Sequence, residues 1–170
     1  NAELKEPLKK FIEEHKKDTD IFCFQECDGN FASLAKELFG GFTEIAAKKV
    51  VGNNGTFRNS TFVKKTHTLE RFADNAGSQK SGLALYAWVK VTGQNFLIAN
   101  VHGLPAPGKL DTPERVEQSE EIMRACEGDV VRIIGGDFNV LPETESVRLF
   151  SRAGYSDLIE MFSIKTTRNS

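Results

Sequence analysis

A carboxylate and a carboxamide, Asp137 and Asn139, follow a short apolar segment near the end of the chain. Residues 130–134 are mostly β-branched and apolar, which is typical of a buried strand. Gly135 and Gly136 come next and predict a close approach of the backbone to another group. Side chains at positions i and i+2 of a strand share a face, so Asp137 and Asn139 are expected to point the same way. Because an unpaired buried carboxylate is costly, the pattern predicts a cation, a hydrogen-bond donor or water beside Asp137.

The same pair has a second interpretation that involves no ligand. Asp and Asn side chains in turns often form hydrogen bonds with nearby backbone groups. Pro142, which follows shortly, suits the end of a strand. From these residues alone, a functional site and a simple turn are equally good interpretations.

Two further apolar strands are predicted to end in a polar side chain. Residues 20–26 end in Glu26, on the face that carries the phenylalanines of that strand. Residues 95–102 end in His102, whose imidazole can act as a general acid or contact a phosphate near neutral pH. Taken alone, Glu26 is an ordinary exposed glutamate and His102 a structural histidine. Three such strand ends together favour a site on a shared rim.

The remaining pattern predicts the helices and strands that position these residues. Apolar residues recur at helical spacing in residues 4–15, 31–39, 113–126 and 145–152. We expect Asn30 to cap the second helix and Asp111 or Thr112 to cap the third. Strand patterns form two hairpins, residues 42–51 with 57–65 and residues 83–91 with 95–102. The polar residues 70–81 predict a loop, and residues 155–162 a weakly defined last element.

Composition and charge are those of an ordinary globular domain. The 170 residues are 39% hydrophobic and 27% charged, which suits one domain, residues 1–170, with a substantial core. The net charge is −2 and the pI about 6.0, so no overall basic field attracts nucleic acid or an anionic membrane, although a local groove can be basic. Three cysteines without regular spacing, Cys23, Cys27 and Cys126, are interpreted as small buried residues in a reducing compartment. With no membrane-spanning run and no signal-peptide core, we expect a cytoplasmic monomer without a transmembrane segment.

Taken together, three motifs resemble the endonuclease/exonuclease/phosphatase superfamily, the deoxyribonuclease I-like proteins. The motifs are Asp20-Ile21-Phe22-Cys23-Phe24-Gln25-Glu26, then Asn100-Val101-His102, then Gly136-Asp137-Phe138-Asn139. Their order and spacing match over most of the chain, and the combination is more specific than any single motif. The resemblance implies an α/β fold, a four-layer α/β/β/α sandwich of two mixed sheets. It also implies an active site at one rim, where the strand ends meet.

The resemblance assigns a role to each polar strand end. Glu26 is similar to the carboxylate that binds catalytic Mg²⁺ or Mn²⁺, and Asp137 to the residue that orients or deprotonates the attacking water. Asn139 is similar to the residue that helps to hold the scissile phosphate, and His102 to the histidine that faces the phosphate and assists the leaving group.

Three further residues are expected to bind substrate. Arg58 and Asn59 lie near a family segment that often contacts phosphate, and Asn100 belongs to the second motif. Members similar to exonuclease III have tyrosine where this chain has His102. The resemblance therefore favours the branches of deoxyribonuclease I, the sphingomyelinases and the phosphatases.

The chain departs from the family pattern at both ends. Members begin with a strand that ends in a metal-binding Asn, and they finish with an Asp-bearing strand and a Ser-Asp-His motif. Neither feature is present in this sequence, so we expect residues 1–170 to be the interior of a larger domain.

The resulting prediction is a divalent-metal-dependent phosphoesterase, an enzyme that hydrolyses a phosphodiester or a phosphomonoester with water. Hydrolysis of this bond needs a hard cation, a base for water and donors for developing charge. The substrate is expected to be a small molecule, a lipid headgroup or a nucleic acid. Two alternatives remain: a nuclease acting on DNA or RNA, and an inactive binding or scaffold domain. Residues 103–110 and 70–81 are short and poor in cations, which weakens the nuclease alternative for duplex DNA.

Overall fold

The computed structural model describes residues 2–48, 50–52, 55–75 and 83–167. The helices are α1 Ala2–His15, α2 Gly29–Leu38, α3 Pro113–Ala125, α4 Glu145–Arg152 and α5 Leu158–Met161. The strands are β1 Ile21–Cys27, β2 Phe42–Ala46, β3 Val50–Gly52, β4 Gly55–Lys64, β5 Thr68–Asp74, β6 Leu83–Val91, β7 Gln94–His102 and β8 Val131–Asp137. No helix in this part of the chain is long and apolar enough to cross a membrane.

The strands form two four-stranded sheets. In sheet one, β4 is central and pairs antiparallel with β1, β2 and β3. In sheet two the order is β5-β6-β7-β8; the first two pairs are antiparallel, and β8, reached through α3, is parallel to β7. Sheet two is therefore mixed, whereas the described pairs of sheet one are antiparallel.

Helices and sheets stack in four layers. On the outer face of sheet one, α1 and α2 cover a cluster of phenyl rings in which Phe39 stacks on Phe62 with 4.1 Å between the ring centroids. Mainly aliphatic side chains, such as Leu85, fill the space between the sheets. On the outer face of sheet two, α3 and α4 contribute Ile122 and Phe150 to a third cluster. The predicted α/β/β/α sandwich is confirmed.

Most strand predictions are confirmed, with corrections in the outer strands of sheet two. The strand predicted from residues 130–134 is found as β8, but the expectation that it is buried is wrong, because its residues are exposed or half-buried at the end of the described strand order. The second hairpin is confirmed, and its turn at Thr92 and Gly93 has the two positive φ angles, 46° and 88°, that suit right-handed strand twist. The loop predicted over residues 70–81 is wrong in its first part, because β5 runs over Thr68–Asp74. As an edge strand with mostly exposed side chains, β5 has a polar sequence. Residues 76–81 of the predicted loop lie outside the described residues.

The first predicted hairpin is confirmed only in outline. The strand predicted over residues 42–51 is interrupted, since β2 ends at Ala46 and β3 covers Val50–Gly52. Both pieces pair with β4. The turn residues Asn53 and Asn54 lie outside the described residues.

Hydrogen bonds at the helix ends correct one predicted cap and confirm another. Asp28, not Asn30, caps α2: its Oδ1 accepts from Phe31 N at 2.8 Å. Thr112 caps α3, as one of the two alternatives predicted. The other alternative, Asp111, instead accepts from the first backbone amides of α4.

Two glycines let the ends of β7 and β8 approach closely. A Cβ atom on Gly136, whose φ is +138°, would lie 2.0 Å from Val101 O. A Cβ atom on Gly103 would lie 2.1 Å from Phe138 O. The close approach predicted from the sequence is thus found at Gly136, while a Cβ atom on Gly135 would meet nothing within 4 Å.

Gly136→Ala is expected to destabilise the fold, because the methyl group would overlap the Val101 carbonyl at a backbone angle that disfavours a side chain. The free energy of unfolding in urea should fall by about 1–3 kcal/mol. Gly135→Ala is the matched control and should change it by less than about 0.5 kcal/mol. Equal losses in the two variants would contradict this account of the close approach.

Candidate active site

The ends of β1, β7 and β8 meet at one rim of the sandwich. His102 at the end of β7 is in register with Asp137 at the end of β8. From the other sheet, Glu26 reaches across so that its Oε1 lies 3.4 Å from His102 Nε2. Asn139, just after β8, donates from Nδ2 to Gly103 O at 3.0 Å. The structure therefore brings together the four predicted strand-end residues.

Glu26 points in a direction that simple alternation does not predict. The strand pairing shifts between Phe24 and Cys27, and Glu26 has a φ of +54°. This bulge turns the side chain away from the row of Phe22 and Phe24 and toward the second sheet. The side chain is 71% exposed, so the expectation that Glu26 continues the phenylalanine face is wrong.

Asp137 and Asn139 are related by a turn and not by strand alternation. The strand ends at Asp137, and Asn139 has a φ of +57°. Asn139 N donates to Asp137 Oδ1 at 2.9 Å. The turn interpretation is therefore correct for the local geometry, and the expected side-by-side placement in a strand is wrong. Both side chains nevertheless lie at the rim, so the turn also serves to place them there.

His102 is held on two sides. Its residue exposure is 8%, and its ring centroid lies 5.6 Å from that of Phe57. Its Nε2 faces the Glu26 carboxylate, a contact that becomes an ion pair when the imidazole is protonated. The imidazole is thus sheltered by protein but directed to the one exposed carboxylate of β1.

Buried side-chain amides connect the two sheets next to this rim. Asn100 in β7, which is 0% exposed, donates from Nδ2 to Phe24 O and to Ser60 O, both at 3.1 Å. Its Oδ1 accepts from Gln25 Nε2 at 2.7 Å. In the opposite direction, Asn59 Nδ2 in β4 donates to Asn100 O at 3.0 Å. We call Gln25, Asn59 and Asn100 the amide bridge.

The amide bridge fixes the strand ends relative to one another. Gln25 directly precedes Glu26, and Asn100 lies two residues before His102. Asn59 and Asn100 were expected to bind substrate, but both are fully buried and their amide nitrogens donate to protein oxygens. In this structure they support the rim and do not face the solvent.

Arg58 lies on the face of β4 opposite to Asn59. Its guanidinium is 2.9 Å from Glu44 Oε1, which also accepts from Ser60 Oγ at 3.0 Å. By strand alternation, Arg58 shares the face of Phe62, which packs under the helices of sheet one. The charge of Arg58 is therefore paired with the Glu44 carboxylate, and Arg58 takes no part in the amide bridge.

Lys109 lies beside the site although no feature of the sequence singled it out. Its Nζ donates to Asn139 Oδ1 at 3.2 Å, and its backbone oxygen accepts from Leu141 N at 2.9 Å. Its φ is +52°, similar to that of Asn139. Lys109 and Asn139 are 30 residues apart, and a polar loop lysine gives no signal of such a contact.

No protein-family model and no curated protein matches the chain, but solved structures do. An endonuclease/exonuclease/phosphatase family protein from Bacteroides thetaiotaomicron matches with a TM-score of 0.73 and 20% identity, over 90% of this chain and 59% of that one. A protein of the same description from Bacteroides vulgatus gives 0.70 and 20%, over 87% and 62%. D. rerio TDP2 complexed with single strand DNA product gives 0.72 and 16%, over 98% and 65%. The fold is that of the endonuclease/exonuclease/phosphatase proteins.

The resemblance seen in the motifs is thus confirmed at the level of the endonuclease/exonuclease/phosphatase fold. This chain spans less than two thirds of the length of each of these three structures. At identities of 16–20%, the likeness establishes the fold and leaves the reaction to be argued from the residues at the rim.

Glu26 is the residue at the rim that could provide an oxygen ligand to a hard divalent cation. The Glu26 carboxylate is exposed, and its contact with His102 is longer than a usual hydrogen bond, so its lone pairs are available. The described residues contain no group of three or more His, Cys, Asp or Glu side chains that could hold a metal. Mg²⁺ often takes one or two carboxylates and retains several waters. These residues fit such an open site and not a closed one.

The cysteines near the rim do not offer nucleophiles. Burial raises the pKa of Cys23 and of Cys27 to about 11, so both thiols are protonated near neutral pH. All three cysteines are free, and Cys27 and Cys126 are buried, as interpreted from the sequence; Cys23 is half-buried. Neither the Cys23 thiol nor the Cys27 thiol is therefore a candidate nucleophile near neutral pH.

Asn100→Ala is expected to lower the free energy of unfolding by about 2–4 kcal/mol, because it removes the hydrogen bonds that join the sheets and leaves buried carbonyls unsatisfied. Asn95→Ala, in the exposed part of the same strand, is the matched control and should cost less than about 0.5 kcal/mol. Urea unfolding measures both. Similar losses in the two variants would mean that the amide bridge adds no stability.

Proposed function

We propose that the protein is a divalent-metal-dependent hydrolase that cleaves a phosphodiester or a phosphomonoester with water. The observation that best supports this is the convergence of Glu26, His102, Asp137 and Asn139 from both sheets at one rim. A carboxylate base, an imidazole that can act on the leaving group and an oxygen ligand for a hard cation are groups that suit this hydrolysis. Because the chain spans less than two thirds of the two Bacteroides structures, the proposal concerns the activity of the whole protein.

Asp137 is proposed to act on the attacking water. Its Oδ1 accepts from Asn139 N at 2.9 Å, which fixes the carboxylate. Its Oδ2 accepts no hydrogen bond from the described residues, and Asp137 is exposed. We assign to this oxygen the proton that water loses as it attacks phosphorus.

His102 and Asn139 are proposed to act on the phosphate. The His102 imidazole, directed by Glu26, would donate a hydrogen bond or a proton to the leaving-group oxygen. Asn139 would help to hold the scissile phosphate beside Asp137. A divalent cation bound at Glu26 would neutralise negative charge on the phosphate oxygens. Asn59 and Asn100 are proposed to position this rim, and substrate binding by Arg58 stays a prediction.

Two substrate classes follow from different observations. A net charge of −2 and a loop 103–110 with a single lysine favour a small phosphate ester or a lipid headgroup. D. rerio TDP2 is described in complex with a single strand DNA product, which favours a nuclease as the second candidate. The cytoplasmic location, the monomeric state and the single domain expected from the sequence also stay predictions.

Asp137→Asn and Glu26→Gln should each lower kcat by about 10²–10⁴-fold, since one removes the proposed base and the other the charge of the proposed cation ligand. The assay uses the natural full-length protein, freed of metal by a chelator and then supplied with Mg²⁺ or Mn²⁺. Substrates are a generic phosphodiester, a phosphomonoester, single-stranded DNA and RNA.

Asp129→Asn and Glu127→Gln are matched controls, because these exposed carboxylates lie before β8 and should leave turnover unchanged. Loss of metal-dependent turnover in the site variants alone would support the hydrolase, and the preferred substrate would select the class. No turnover on any substrate, together with no rise in melting temperature on adding metal, would favour the scaffold alternative.

A further inference from the structure

The Lys109 ammonium lies at the rim and has no counter-ion among the residues that the structure describes. Its Nζ contacts Asn139 Oδ1 at 3.2 Å, and among the described residues no carboxylate lies within 4.0 Å of it. Its side chain is half-buried. An ammonium group has three N–H donors, and Asn139 uses one of them. The others remain available at the place where the proposed reaction occurs.

The loop that carries Lys109 is held by a buried arginine. Arg115 in α3 is 2% exposed and donates to Leu104 O at 3.0 Å, to Ala106 O at 3.3 Å and to Leu110 O. These carbonyls come from both sides of Lys109 in the loop. The Arg115 guanidinium is therefore used to fix the loop backbone, and it leaves Lys109 as the free cation of this segment.

The far end of the same loop is fixed as well. Leu104 N donates to Gln118 Oε1 at 3.2 Å, and Leu141 N donates to Lys109 O at 2.9 Å. A lysine on a loop fixed at both ends is already placed before a ligand arrives, so little conformational entropy is lost on binding. Such an arrangement favours a function in anion recognition over a solvated surface lysine.

We propose that Lys109 is a substrate-binding residue whose ammonium contacts the phosphate of the substrate. The inference rests on the proposed function and adds a phosphate contact that comes from the loop and not from a strand end. A lysine at this position binds any phosphate oxygen as a point charge, and it does not require the extended backbone of a nucleic acid. Because its donors are not all used, Lys109 can hold Asn139 and the phosphate at the same time.

The test measures binding of inorganic phosphate to the natural full-length protein in excess Mg²⁺, by titration calorimetry. Lys109→Met should weaken phosphate binding by about tenfold to a hundredfold, and it should raise KM by a similar factor, because a hydrogen bond to a charged group is lost. Lys109→Arg should restore part of the affinity. Lys90→Met, an exposed lysine on β6, is the matched control and should bind phosphate as the wild type does.

A double variant separates a direct contact from an effect through Asn139. Asn139→Gly removes the side chain and tolerates the φ of +57°. If Lys109 contacts phosphate, Lys109→Met should weaken phosphate binding in the Asn139→Gly background by a similar factor. An effect that vanishes in that background, or no effect of Lys109→Met in either, would overturn the proposal. So would a wild-type protein that binds no phosphate at millimolar concentration.

These measurements distinguish a failure of the proposed role of Lys109 from a failure of the proposed hydrolase function. Metal-dependent turnover that is lost in Asp137→Asn but unaltered in Lys109→Met would keep the hydrolase and reject this role of the lysine. Absence of turnover in the wild type would reject the hydrolase, and phosphate binding that depends on Lys109 would then show an anion site without hydrolysis.

Discussion

The rim depends on the hydrogen bonds that Asn100 makes between the two sheets. Apolar side chains between packed sheets attract one another without direction, so they alone would allow small shifts of one sheet over the other. The Asn100 amide removes this freedom, since its oxygen and its nitrogen both have fixed partners on sheet one. Any shift would leave buried polar groups unsatisfied. Glu26 and His102, which belong to different sheets, can therefore stay 3.4 Å apart.

Features with a local cause are predictable from the sequence. The helix α4 was expected over residues 145–152 and is found there, because its apolar periodicity is complete within the segment. The hairpin of β6 and β7 follows from two apolar strands and a short turn. The meeting of Glu26, His102 and Asp137 could also be inferred, because three apolar strands ending in polar residues tend to end at a common edge.

Features with a distant cause are not predictable in the same way. The direction of the Glu26 side chain depends on a bulge that the sequence of residues 20–26 does not predict. Asn100 resembled a substrate contact within its motif, and only the position of sheet one shows that its amide is enclosed. Lys109 acquires a partner 30 residues away through a loop that Arg115 holds. The polar sequence of β5 reflects its place at the edge of sheet two, which the order of strands determines.

Glu26, Lys109 and Asn139 all have left-handed backbone angles, with φ of 54°, 52° and 57°. Such a conformation costs a residue with a side chain on the order of 1–3 kcal/mol, and glycine would relieve it. A directed-evolution screen that rewards only heat resistance should therefore accumulate glycine at these three positions. The variants it selects would melt later and would lack the side chains that the rim presents. In this fold, resistance to heat and retention of the site are opposing selection criteria.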